Sequence, residues 1–282
     1  MIRAGAVQQG EQTVPLERRV CREESFTIRL IEPPDKLFQP EQLPLEILHE
    51  DEHLIAVNKP PGQIAHPVGR YQTGTLCNAV QWHLDSQTAL PGLLRPGIVH
   101  RLDRQTSGVM LIAKTFLAHR ELSIAFQTSR IRKDYLAVLE GQLANDSGTI
   151  DLPIGQIPGG KTILMTTAEN ARNPRPARTR FEVHARDETR TLIRAEPETG
   201  RLHQLRVHFA ALGHPVVGDE FYGPFGEIRA ERIQHSEKSE VHAGTNARHL
   251  LHAYSIQFRH PLSDVPLTIT APLPAEFGVA GF

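Results

Sequence analysis

The chain has 282 residues, 22% of them charged, with a formal net charge of −1 at pH 7. That length buries a substantial core and suits one large domain with an appendage, while the near-neutral balance excludes a generic nucleic-acid coat protein. No apolar run approaches a bilayer span and no secretory leader opens the chain; Cys21 and Cys77 lack CxxC spacing, so a reducing cytoplasm is expected, without membrane, zinc or disulfide framework.

Sign is unevenly spread along the chain. The first fifty residues lean acidic, residues 95–135 lean basic, and a second basic stretch carries Arg172, Arg175, Arg178 and Arg180. A basic face suffices to bind phosphates, although ordinary surface charge explains the same pattern.

Residues 26–30 read as a short strand after a polar turn at Gln9-Gly10, and the Pro-rich residues 33–44 read as a linker. Residues 1–44 are therefore expected to be a β-arm with linker, and residues 45–282 the main domain. Residues 54–57 are a buried strand stopped by Lys59-Pro60-Pro61-Gly62, and residues 75–84 have helical spacing with Thr75 as N-cap. Residues 91–96 are loop.

The densest stretch is RPGIVHRLDRQTSGVMLIAK, residues 95–114. It places His100, Arg101, Asp103, Arg104, Thr106 and Ser107 directly before a buried strand at 109–113. A carboxylate between two arginines, in a loop tied to a core strand, is expected to stay ionised and to suit a nucleophile or base. A solvated ion-pair cluster fits the charge pattern equally well.

An amphipathic helix follows at 115–127, with Leu117, Leu122, Ala125 and Phe126 inward. Residues 132–139 form a strand with Tyr135, Ala137 and Leu139 on one face, and further strands fall at 149–152, 179–185 and 191–195. The Gly/Pro-rich segment 155–176 reads as a mobile loop. In 199–213, Thr199 is a possible N-cap and Gly213 a stop, with Leu202, Leu205, Phe209 and Leu212 as a buried stripe. Arg206 then lies about 80° from the stripe centre, at the edge between core and surface. Residues 224–247 read as an exposed insertion, and 250–258 as the last strand.

HRLDRQTSG resembles the active-site motif of RNA pseudouridine synthases of the RluA-like family. DEHLIAVNKPPG is similar to that family's opening motif, the Lys-x-Tyr-x-Ala spelling around Tyr135 to its second motif, and TGRLHQLRVH to its third. HPVVGDEFYG is also familiar for the family. The likeness covers about residues 49–275, while residues 1–32 faintly resemble the second half of the small RNA-binding module that often precedes this catalytic domain.

The resemblance implies a mixed α/β (α+β) fold with a large, mostly antiparallel sheet and peripheral helices. It implies an isomerase that converts uridine to pseudouridine in structured RNA, large-subunit ribosomal RNA being favoured over tRNA, working as a cytoplasmic monomer without cofactor or metal. Asp103 would be catalytic, acting on the sugar; Tyr135 would line the uracil pocket, and Arg206 would pair with Asp103. His100, Arg101, Leu102, Thr106 and Leu205 would bind substrate, with Arg101 filling the space left by the extruded nucleotide.

Other chemistries are less complete. His249 with His252, or His203 with His208, lack the third ligand and acidic partner of a hydrolytic zinc site. There is no Gly-x-Ser-x-Gly elbow, Walker sequence or dinucleotide loop, and a glycosidase needs two carboxylates across the bond. A catalytically silent RNA-binding protein would be marked by loss of Asp103, Tyr135 or Arg206, and all three are present.

Overall fold

In a computed structural model, which describes residues 7–15, 17–28, 38–88, 92, 94–159, 164–229 and 248–277, the chain divides into two units, Met1–Gln39 and Pro40–Phe282. The first holds β1 (Val7–Gln9), β2 (Gln12–Thr13) and β3 (Thr27–Ile28), antiparallel in the order β2-β1-β3. The strand expected at 26–30 is seen at Thr27–Ile28; residues 29–30, and 33–37 of the expected linker, lie outside the described residues. Residues 41–43 are not linker: Glu41 N donates to Asn78 O at 3.1 Å, and the Glu41 carboxylate accepts from Gly74 N.

The second unit is built on a ten-stranded sheet. In chain order its strands are β4 (Ile47–Glu50), β5 (Leu54–Lys59), β6 (Gly97–Ile98), β7 (Ser107–Ala113), β8 (Arg132–Glu140) and β9 (Ser147–Asp151), then three strands of a separate small sheet, β10 (Ile154–Gln156), β11 (Met165–Thr166) and β12 (Arg172–Arg175). The large sheet resumes with β13 (Arg178–Arg186), β14 (Arg190–Pro197), β15 (Leu251–Arg259) and β16 (Pro266–Thr270). The order is β4-β5-β7-β15-β8-β14-β13-β9, with β16 on β15 and β6 on β7; only the β7–β15 pair is parallel. The expected mostly antiparallel sheet with peripheral helices is what forms.

β5 and β7 are continuous apolar runs because both faces of the sheet are covered there. Leu54, Ala56, Val109 and Leu111 pack beneath α2 (Phe116–Gln127), whereas Ile55, Val57, Met110 and Ile112 pack beneath α1 (Leu76–Ser86). Each such Leu or Ile contributes roughly 1.5–3 kcal/mol on burial. β7 meets β15 so closely at Gly108, where φ is +111°, that a Cβ would overlap the Ala253 carbonyl.

Thr75 caps α1 as expected, with Asn78 completing a capping box. In α2 the inward residues are Ala118 and Leu122, with Ala125 and Phe126 partly covered; Leu117 is instead half exposed, because it lies one residue, about 100°, around from Ala118. The segment expected to be a mobile loop holds the small sheet, ordered β11-β10-β12. The strand expected at 250–258 forms as β15 but is not the last, since β16 follows and pairs antiparallel with it. Of the expected insertion, residues 224–229 are anchored, Arg229 pairing with Glu140 at 3.0 Å; residues 230–247 lie outside the described residues. Among the described residues no helix is long and apolar enough to cross a membrane.

The third helix, α3 (Gln204–Ala211), departs most from expectation. It starts after His203, held at φ 56°, not at Thr199, whose hydroxyl instead donates to Gln204 Oε1 at 2.7 Å. Residues 204–210 are buried on every side, so there is no single stripe, and Leu212 is exposed. Gly213 ends the helix with φ +87°.

Candidate active site

The turn before β7 is fastened at almost every polar residue. His100 Nε2 accepts from Leu111 N at 2.8 Å and its ring stacks on Phe126, so burial and the nearby Lys133 hold the imidazole neutral, pushed down to about 3. Leu102 sits in the core beneath α1. Thr106 donates its backbone N–H to Asp103 O, and its hydroxyl meets His249 Nε2 at 2.8 Å. Ser107 Oγ accepts from Arg248 Nη1 and lies 2.9 Å from His252 Nδ1.

Lys59 closes the same turn from below. Its fully buried Nζ donates to Pro60 O, Gln63 O and Arg104 O at 2.9, 2.9 and 3.1 Å, tying the end of β5 to the residue after Asp103. Burial pulls the ammonium down to about 7 against the attraction of Asp103. Three carbonyls need three N–H donors, and only the protonated form supplies them.

The Asp103 carboxylate is thereby aimed at α3. Arg206 Nη1 donates to Asp103 Oδ2 at 3.1 Å, and His203 Nε2 lies 3.9 Å from Oδ1. Burial raises the carboxyl, but His203, Arg206 and His249 outweigh it and hold Asp103 well below the usual carboxylate range. His203 and His249 are themselves pushed down by burial, to about 4 and about 3, so at neutral pH the charge facing Asp103 is Arg206. The arginines flanking Asp103 in sequence do not serve this purpose. Arg104 Nε is turned to Gly62 O at 3.1 Å, and Arg101 is exposed.

Arg206 is only 2% exposed, buried rather than at a core–surface edge. Its guanidinium is held by Asp219, Nε to Oδ2 at 2.6 Å and Nη2 to Oδ1 at 2.8 Å, with the Phe221 and Tyr222 ring centroids 5.1 and 5.2 Å from it. Asp219 also accepts from Phe221 N and Tyr222 N, and Arg206 keeps it ionised although burial acts the other way. Reading the sequence missed Asp219, Lys59 and His249 as parts of the site. HPVVGDEFYG offered one signal for Asp219, the first of two adjacent acids after Gly218, which has φ +78°.

A cleft of about 690 Å³ opens over Asp103. Of the residues singled out from sequence, His100, Arg101, Leu102, Asp103, Thr106, Tyr135, Leu205 and Arg206 all line it. Tyr135, on β8, is pushed upward by burial and by Asp103, so it stays a neutral phenol. Lys133, Arg201 and His203 complete the polar rim. His203 Nδ1 is tied to Tyr222 OH at 2.7 Å, and His208 to Thr179 and Leu152 O. Among the described residues no three His, Cys, Asp or Glu side chains converge as a metal-ligand set.

An ionised, preorganised carboxylate under a pocket with one aromatic wall and a cationic rim suits chemistry on a nucleotide within RNA. The family of RNA pseudouridylate synthases matches residues 53–211. An "uncharacterized RNA pseudouridine synthase" of Aquifex aeolicus is 36% identical over 254 residues, 89% of this chain and 77% of that one. Ribosomal large subunit pseudouridine synthase D of Nitrosomonas europaea is 37% identical over 242 residues, 86% of this chain and 66% of that one. The solved structure of human RNA pseudouridylate synthase domain containing 4 superimposes with a TM-score of 0.60 at 26% identity, covering 83% of this chain and 90% of that one. The chain belongs to the RNA pseudouridine synthase family. Within it, the likeness to large-subunit synthases places the chain in the RluA-like group.

Proposed function

We propose that this chain isomerises uridine in large-subunit ribosomal RNA, with Asp103 as the reacting group. The N1–C1′ bond breaks, the uracil turns, C5 bonds to C1′, C5 gives up its proton and N1 gains one. Nothing is oxidised and no outside group enters. Asp103 acts on the sugar, as nucleophile at C1′ or as base toward a ribose C–H; both routes require the carboxylate that Arg206 maintains. Tyr135 stacks on the uracil, Arg101 occupies the place of the extruded nucleotide, and Arg206 positions Asp103.

The 3.1 Å contact between Arg206 Nη1 and Asp103 Oδ2 at the floor of the cleft carries this reading. The ribosomal target is supported by the likeness to the Nitrosomonas europaea protein. Action as a monomer belongs to this proposal, and ribosomal RNA as substrate supports a cytoplasmic setting. Residues 45–282, with the anchored residues 40–44, form the catalytic domain in this reading.

The test is RNA tritiated at uracil C5. Synthesis releases that hydrogen into water, whereas glycosidic hydrolysis or simple binding leaves it in place. Asp103→Asn is expected to bind RNA and release almost no tritium. Release at the wild-type rate by Asp103→Asn would overturn the assignment.

A further inference from the structure

Four arginines make up the second basic stretch, and the fold treats them differently. On β13, Arg180 is held by Glu198 at 2.9 Å and Glu196 at 3.2 Å, and Arg178 lies 3.6 Å from Glu198. Their charge is largely spent against the neighbouring strand. Arg172 and Arg175, on β12, are exposed and pair with no carboxylate among the described residues. The nearest acid in the chain, Glu169, is itself exposed in the turn before β12.

β12 is the edge of the small sheet, and its pairing with β10 is irregular. Ile154 faces Arg175 and Gln156 faces Arg172, so three steps on β12 match two on β10. The extra residue, with Asn173 at φ 51°, brings Arg172 and Arg175 to one face; three steps along a regular strand would send them to opposite faces. Their Cα atoms are then up to about 10 Å apart along the strand.

β10, the strand on which this edge pairs, packs toward the cleft. Ile154 and Leu164 pack with Val207 and Ala210 of α3, the helix that carries Arg206, and with Tyr222. Met165 N donates to Tyr222 OH, the hydroxyl that also meets His203. Pro176, directly after β12, accepts from Arg201 Nε at 2.9 Å, and Arg201 lines the cleft. Guanidinium groups without a carboxylate partner among the described residues thus continue from Arg201, which is tied only to a backbone carbonyl, to Arg175 and Arg172.

We propose that β12 is a second RNA-contact surface, on which Arg172 and Arg175 take backbone phosphates of the same RNA whose uridine lies over Asp103. The inference rests on structured RNA being the substrate. An RNA seated in the cleft has to leave across a rim, and guanidinium groups without carboxylate partners are the groups free to pair with phosphate there. Such contacts position the RNA without reading its sequence.

The test uses the full chain with Arg172→Glu/Arg175→Glu and, as a milder pair, Arg172→Gln/Arg175→Gln. A large-subunit rRNA transcript and a short uridine-loop hairpin serve as ligands, with binding measured across a salt series. The charge-reversed protein is expected to bind the transcript at least tenfold more weakly. Both doubles are expected to flatten the slope of log affinity against log salt by about two, with a smaller effect on the hairpin. Wild-type affinity and slope for the transcript, or equal losses on transcript and hairpin, would overturn the proposal. Failure of the wild-type chain to release tritium would instead defeat the synthase reading, which separates the two.

Discussion

Asp219 is the residue on which the geometry of Arg206 most depends, and Asp219→Asn isolates its charge. The guanidinium is 2% exposed and receives two of its three short contacts from this carboxylate, at 2.6 and 2.8 Å. Asparagine keeps the volume but replaces one oxygen with NH2. If Oδ1 still accepts from Phe221 N and Tyr222 N, the new amide faces Arg206 Nε, donor against donor. Breaking a buried pair from one side costs about 3–5 kcal/mol, so the melting temperature should drop by on the order of 10 °C. The freed guanidinium can also settle away from Asp103, so tritium release at 25 °C should fall far more than the folded fraction. Thermal unfolding and C5-tritium release on one preparation check both. Wild-type stability, or lowered stability with full activity per folded molecule, would refute the view that Asp219 fixes Arg206 and Arg206 fixes Asp103.

Lys59→Met should destabilise the chain by on the order of 3 kcal/mol, since three partly buried carbonyls lose their donor, and should slow tritium release by loosening the turn; an unchanged urea midpoint would refute this. A pH effect follows from His100, His203, His249 and His252, which burial pushes down to between about 3 and 4 from an ordinary 6.5. Below pH 6.5 the unfolded chain takes up protons that the folded chain refuses, so stability should fall as pH drops toward 4, by up to about 1.4 kcal/mol per pH unit for each histidine. His252→Gln should remove one such share, which urea midpoints at pH 7 and pH 5 would detect; a wild-type pH dependence in that variant counts against it.

What could be read from the sequence tracks the kind of signal involved. β5 and β7 were legible because burial on both faces leaves an uninterrupted apolar run, and α1 because Thr75 marks its start. Asp103, Tyr135 and Arg206 were found by their spelling; no periodicity brings together residues from three separate elements. The small sheet was invisible because its strands are two to four residues long, too short for alternation to register. Thr199 looked like a cap because threonine is a favoured N-cap residue, but the left-handed His203 starts the helix four residues later. Asp219 lies in a turn, where a carboxylate has no pattern to stand out against.

The charge partner of Asp103 shows why local charge was the weaker guide. Arg101 and Arg104 are its sequence neighbours, yet a turn projects adjacent side chains in different directions. The cation that reaches it comes from a helix more than a hundred residues away. The same division runs through the whole site. The fully buried cations are committed: Arg206 to two carboxylates and Lys59 to three carbonyls. Exposed ones, Arg101 at the cleft and Arg172 and Arg175 on β12, have no carboxylate partner among the described residues. A polyanionic substrate at the cleft therefore meets Arg101 without a carboxylate partner among the described residues, while Arg206 is already held. The carboxylate at the floor stays shielded by an arginine that is already doubly engaged, and RNA phosphate has little free charge there with which to compete for Asp103.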